Sequence, residues 1–189
     1  MADDYFELTL GNLLEMSASE PAPGAGSAAA VTIALAASLV AKVARCSGDS
    51  WADAPGVAAQ ALELRSRCPA LAGEDADAWQ QARAALGGRG GDGWVLGGLL
   101  DRAADLPLAI AETGADVAGL AQLAAERGAG DLRGEAVAAA VLAHAGVRAA
   151  AHLVVINLAS RTDDDRCKRA GLAEQAAAAS VARVLEVEG

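Results

Sequence analysis

Aromatic side chains are scarce: three tryptophans, one tyrosine and one phenylalanine make up 3% of 189 residues. Aromatics bury the most area per side chain. A core without them buries little area per residue, which leads us to expect shared burial with a second chain, as in a homodimer. Cysteine is also sparse. Cys46, Cys68 and Cys167 are odd in number, far apart and without a C-x-x-C pair, and there are only two histidines. That argues against a disulfide framework and against a zinc or other metal site. Basic residues are in deficit, with 15 Lys and Arg against 25 Asp and Glu for a net charge of −10. Nucleic acid is therefore an unfavourable partner, and no polybasic stretch suits an anionic membrane. The uncharged run AAAVTIALAASLVA has 14 residues, 28 to 41, short of the roughly 20 that a membrane span needs. It reads as a buried core helix. The start, MADDYFEL, is acidic and unlike a signal peptide, so the cytoplasm is the expected location.

Hydrophobic residues reach 53%, chiefly alanine, leucine and valine. Alanine and leucine are strong helix formers. The expected fold is all-α: a bundle of about six helices, two or three of them long and kinked, in one domain spanning 1–189. Gly, Pro and polar punctuation sets the boundaries. A first helix covers roughly 9–18, with Thr9 as N-cap. The second covers 27–47, with Ser27 as N-cap. The third covers 52–86, interrupted or kinked at Pro69 and Gly73. The fourth covers 94–126, kinked at Pro107. The last two cover 135–159 and 164–187. The glycine-rich segment GGRGGDG, 87–93, reads as a mobile loop. VVIN, 154–157, has strand propensity but helical neighbours.

The break before the second helix, EPAPGAGSAAA at 20–30, has two physical readings. Pro21 and Pro23 stop a helix, Gly24 and Gly26 leave backbone N–H groups uncovered, and a helix N-terminus follows at once. Such a site can hold a carboxylate, phosphate or carbonyl oxygen. The plainer reading is a rigid turn with Ser27 as cap.

PAPGAGSAAAVTIALAASLVAKVA resembles the P-x-P-G-G-G-S-A-A-A opening of the formimidoyltetrahydrofolate cyclodeaminase and methenyltetrahydrofolate cyclohydrolase family. Three further segments resemble that family in order. EDADAWQQARAAL (74–86) is similar to its D-A-x-A-F, DLPLAIAET (105–113) to its V-P-L-x-x-A-E, and VVINL (154–158) to its N-V-x-I-N-L. The resemblance implies an all-helical dimer and a folate site near the glycine turn. It also implies a tetrahydrofolate derivative as substrate, with no prosthetic group and no metal. The reaction implied is closure of a formimino group to the methenyl bridge with loss of ammonia, or hydration of that bridge. Several polar family positions differ here. The triple glycine is Gly24-Ala25-Gly26, G-N is Gly128-Ala129, S-D is Gly134-Glu135, and the first Asn of N-V-x-I-N-L falls on Leu153. The lysine of an L-P-K segment has no clear counterpart, with Arg89 as a stand-in.

Asp75 is the candidate catalytic residue. A carboxylate can move a proton to or from a nitrogen, and burial beside Trp79 would raise its pKa toward neutrality. The alternative is a solvated helix carboxylate. Pro23, Gly24, Gly26, Ser27, Glu135 and Asn157 are the candidate substrate-binding residues. Glu135 and Asn157 share a helix face but lie 22 residues apart, about 33 Å at 1.5 Å per residue. They cannot touch one small ligand within one chain. His144, Arg148 and His152 recur at intervals of four and read as a helix–helix or dimer contact. Trp51 and Trp94 read as packing anchors, Cys46 as a buried inert thiol, and Asp163 to Asp165 as a helix start. Two other functions fit the residues: imine, iminium or amidine chemistry on a different small molecule, or a non-catalytic helical dimer that binds a ligand or partner.

Overall fold

The computed structural model describes residues 5–19, 21–48, 50–87, 93–158, 161 and 163–186, with backbone alone at 93 and 94. Helix α1 spans Leu10–Ser19, α2 Ala25–Cys46, α3 Ala54–Gly87, α4 Gly93–Arg127, α5 Arg133–Leu158 and α6 Asp165–Glu186, with a 3₁₀ turn at Gly130–Leu132 before α5. No strand occurs among the described residues, and VVINL lies in α5.

Helix α2 is the centre of the bundle, packed against α3, α4 and α5. Ile33, Val40 and Val43 are fully buried along it. Ile33 sits in a slot where α4 and α5 both present glycine. A β-carbon at Gly114 or at Gly146 would collide with the Ile33 side chain. Most of the remaining core is alanine. Small side chains let helix axes approach closely, so packing density is reached without aromatic bulk. By length and composition alone α2 is apolar enough to cross a bilayer, as is the stretch Gly130–Leu158. The burial of α2 on three sides makes it the core helix that its sequence suggested.

The alternative of two separate helices around Pro69 and Gly73 does not occur. Helix α3 runs through Pro69 and Gly73, and α4 through Pro107. Proline costs a helix one hydrogen bond. Here tertiary packing prevails: Cys68, Ala72 and Gly73 are buried along α3, and Pro107 is fully buried in α4.

Two caps are as expected. The Asn12 N–H donates to Thr9 Oγ1 at 3.2 Å, and the Arg166 N–H donates to Asp164 Oδ1 at 3.0 Å at the start of α6. The cap assigned to Ser27 is corrected. Helix α2 begins two residues earlier, and its N-cap is Gly24, with no side-chain cap. Cys46 is likewise corrected: it is exposed at the end of α2, and Cys68 is the buried thiol. Trp51 is buried. The Trp94 side chain, Arg89 and most of the glycine-rich loop lie outside the described residues.

Candidate active site

Three elements converge on a cleft of about 280 Å³. The turn before α2 supplies Pro21, Ala22, Gly24, Ala25 and Gly26, α3 supplies Asp75, Ala76 and Trp79, and α5 supplies Leu153, Ile156 and Asn157. The Ala22–Pro23 peptide bond is cis. The first turn of α2 has no side-chain cap, so its free N–H groups can donate to a ligand oxygen.

Asp75 is only 8% exposed, which sets aside the solvated-carboxylate alternative for this residue. No described residue hydrogen-bonds or ion-pairs with its carboxyl. Burial disfavours the charged form and raises its pKa to about 6. Its position depends on Gly26, because a β-carbon at residue 26 would overlap the Asp75 carboxyl group. The second glycine of the turn therefore makes room for the acid. Ala25 is the first helical residue of α2 and is exposed. A methyl group is tolerated there, which explains how alanine replaces the family's central glycine.

Asn157 donates through Nδ2 to the Ala103 carbonyl of α4. A carbonyl only accepts, so this bond fixes which way the amide points. Oδ1 is left without a partner among the described residues, at the edge of the cleft.

Two of the candidate residues do other things here. Ser27 is completely buried, and its hydroxyl donates to the Ala72 carbonyl at 2.8 Å, tying α2 to α3. Pro23 is buried behind the turn and does not line the cleft. Glu135 stands at the opposite end of α5 from Asn157 and pairs with Lys42 at 2.7 Å. Its carboxyl is held below the usual range by that hydrogen bond. The structure thus brings Gly24, Gly26, Asp75 and Asn157 together and leaves Glu135 outside. Arg148 and His152 line a different cavity, of about 710 Å³ between α5 and α6, where Arg148 pairs with Glu174 at 3.5 Å. Sequence reasoning marked Leu153 only as the position of a missing family asparagine and did not single out Ile156. Their signal was position, one turn before Asn157 and immediately before it.

Fold and cleft together define an all-α domain in which Asp75, the one buried acid among the described residues, faces a cleft. The chain matches the sequence model of the formiminotransferase-cyclodeaminase family over residues 10–177. It belongs to that family, and so to the enzymes of folate one-carbon chemistry. A solved structure, formiminotetrahydrofolate cyclodeaminase from Thermotoga maritima, superposes with a TM-score of 0.88 at 23% identity, covering 96% of each chain. That likeness establishes the shared helical fold. Comparison with curated protein sequences gives no significant match.

Proposed function

We propose that this chain closes the formimino group of 5-formiminotetrahydrofolate to the 5,10-methenyl bridge and releases ammonia, with Asp75 as the proton carrier. The carrying observation is the Asp75 carboxyl itself, buried, without a partner and open to the cleft. In the step, N10 attacks the protonated formimino carbon and forms the new C–N bond. The ionised Asp75 takes the N10 proton and delivers it to the amino nitrogen, whose bond to carbon then breaks. Positive charge passes from the amidinium to the methenyl bridge, and atoms and charge balance. A carboxyl with a pKa near 6 can both accept and return a proton near neutrality.

Beside Asp75, Gly24, Gly26 and Asn157 contact the pterin end of the substrate. The uncapped N–H groups of the α2 N-terminus receive a ring carbonyl oxygen, and Asn157 Oδ1 receives a ring N–H. Pro23 and Ser27 support the turn from behind. The substrate is a free folate derivative, and the enzyme is cytoplasmic and acts as a homodimer. The exposed Leu35 of α2 and the exposed Val141 and Ile156 of α5 supply an apolar face for the second copy. Ile156 also lines the cleft, so that face runs to the edge of the site.

The test follows the near-ultraviolet absorbance of the methenyl bridge. The protein is mixed separately with 5-formiminotetrahydrofolate and with 5,10-methenyltetrahydrofolate, alongside Asp75→Ala and buffer alone. Signal growth in the first mixture, lost in the variant, is the expected result, with kcat/KM falling as pH drops below about 6. Accelerated signal loss in the second mixture would reassign the chain as a cyclohydrolase. No change in either would overturn the catalytic reading.

A further inference from the structure

The cleft does not end at Trp79. Pro21 and Ala22 line it on one side and, on the other, line a broad groove of about 740 Å³ whose remaining walls are Tyr5, Met16, Gln80, Arg83 and Ala84. On α3, Asp75, Trp79 and Arg83 follow at intervals of four, which stacks them along one side of the helix over about 12 Å. The three differ in a graded way. Asp75 is buried at the inner end, Trp79 is 41% exposed at the mouth, and Arg83 is exposed at the outer end. Arg83 has no hydrogen bond or ion pair with any described residue. Six other arginines pair with carboxylates, among them Arg148, Arg161, Arg166 and Arg169. Arg45, Arg65, Arg127 and Arg183 are unpaired like Arg83 among the described residues, but none of them lines this groove.

We infer that the groove is a second subsite of the same cleft, in which Arg83 holds a carboxylate at the far end of the substrate and Trp79 stacks on the flat ring in between. The inference rests on the folate reading, which supplies a molecule with the matching order of parts. Of its two reacting nitrogens, N10 carries a benzoyl ring, and one amide further on is a glutamate with two carboxylates. An aromatic face suits the ring. A guanidinium fork suits a carboxylate. Arg83 touches neither the reacting atoms nor Asp75, so it sets affinity and leaves the chemical step alone.

The experiment uses the full chain as wild type, Arg83→Ala and Arg83→Lys. Calorimetry measures binding of N-(4-aminobenzoyl)-glutamate, with N-methyl-4-aminobenzamide as the probe that lacks carboxylates. Kinetics measure KM and kcat for the glutamate-bearing formimino substrate. One charge-assisted hydrogen bond at an open site corresponds to a loss of about tenfold. The expected result is that Arg83→Ala weakens the glutamate probe and raises KM by that factor, with kcat within about twofold of wild type and the neutral probe unaffected. Arg83→Lys restores part of the loss by keeping the charge. Wild-type turnover with KM and probe binding unchanged in Arg83→Ala would overturn the subsite and leave the folate reading intact. Arg83-dependent probe binding without turnover would uphold the subsite and remove the catalytic reading. Neither turnover nor probe binding would remove both.

Discussion

Asp75 and Gly26 are one device. The acid is held in an apolar position by the absence of a side chain opposite it. Gly26→Ala forces that carboxyl aside, and catalysis is expected to fall by about 100-fold or more, since misplacement of an acid–base group by about an ångström costs that much. Circular dichroism on the same sample would show the helices retained. Asp75 also carries a stability cost whose sign can be worked out. Its pKa is about 6 in the folded chain and near 3.9 when unfolded. Between those values the folded state binds more protons, so stability falls as pH rises through the window and levels off above it. Asp75→Asn removes the ionisation. The variant should therefore exceed wild type by on the order of 2 kcal/mol above pH ~6, the gap closing below pH ~4, by urea denaturation at several pH values. Much of this was legible in sequence. The acid, the glycine turn and Asn157 were all marked as candidates. The partnership of Gly26 with Asp75 was not, because 49 residues of chain separate two groups that only tertiary packing brings together.

Helices were readable as elements because alanine and leucine dominate them and glycine, proline and polar clusters separate them. Their interiors were less readable. Pro69 left open a division of α3 into two helices, and the helix is continuous, since burial on neighbouring helices outweighs a local preference. Ser27 looked like a cap and is a cross-link to Ala72, a distinction that a hydroxyl beside a helix start cannot reveal. One tie between elements had no sequence signal at all. At the start of α5, Arg133 donates to the Ala125 carbonyl in the last turns of α4 at 3.0 Å and to the Val184 carbonyl in the last turn of α6 at 2.8 Å. A cation is favoured at helix C-termini. Arg133→Ala is expected to cost about 1–3 kcal/mol of stability, read by chemical denaturation. Its kcat should be unchanged, since the cleft adjoins the other end of α5.

At the scale of the whole molecule, the scarcity of aromatics led us to expect shared burial, and the proposed dimer would cover Leu35, Val141 and Ile156, which are exposed in the single chain. We expect sedimentation equilibrium to give twice the chain mass for wild type. A Leu35→Glu, Val141→Glu double variant should sediment as a monomer with its helical spectrum intact. A wild-type monomer at micromolar concentration would dispose of the dimer. In the proposed reading, the turn and the arm of α3 that bears Trp79 and Arg83 would hold the ligand within one chain. The α5 edge at Ile156 is where a neighbour would add to it.

The alanine-built core described above has a consequence for how this chain can change over time. In an ordinary core, substitution errors in both directions: a leucine can shrink and leave a void, or grow and collide. Around α2 most positions already hold the smallest side chain that favours a helix, and two opposite Ile33 hold none. Only glycine remains as a smaller choice, and it weakens a helix. Variation can therefore proceed almost only by adding volume, and each addition drives apart helices that depend on near contact. Drift is left to the exposed faces and to the lining of the cleft, where Ala25 and Leu153 stand at positions that the family resemblance assigns to glycine and asparagine.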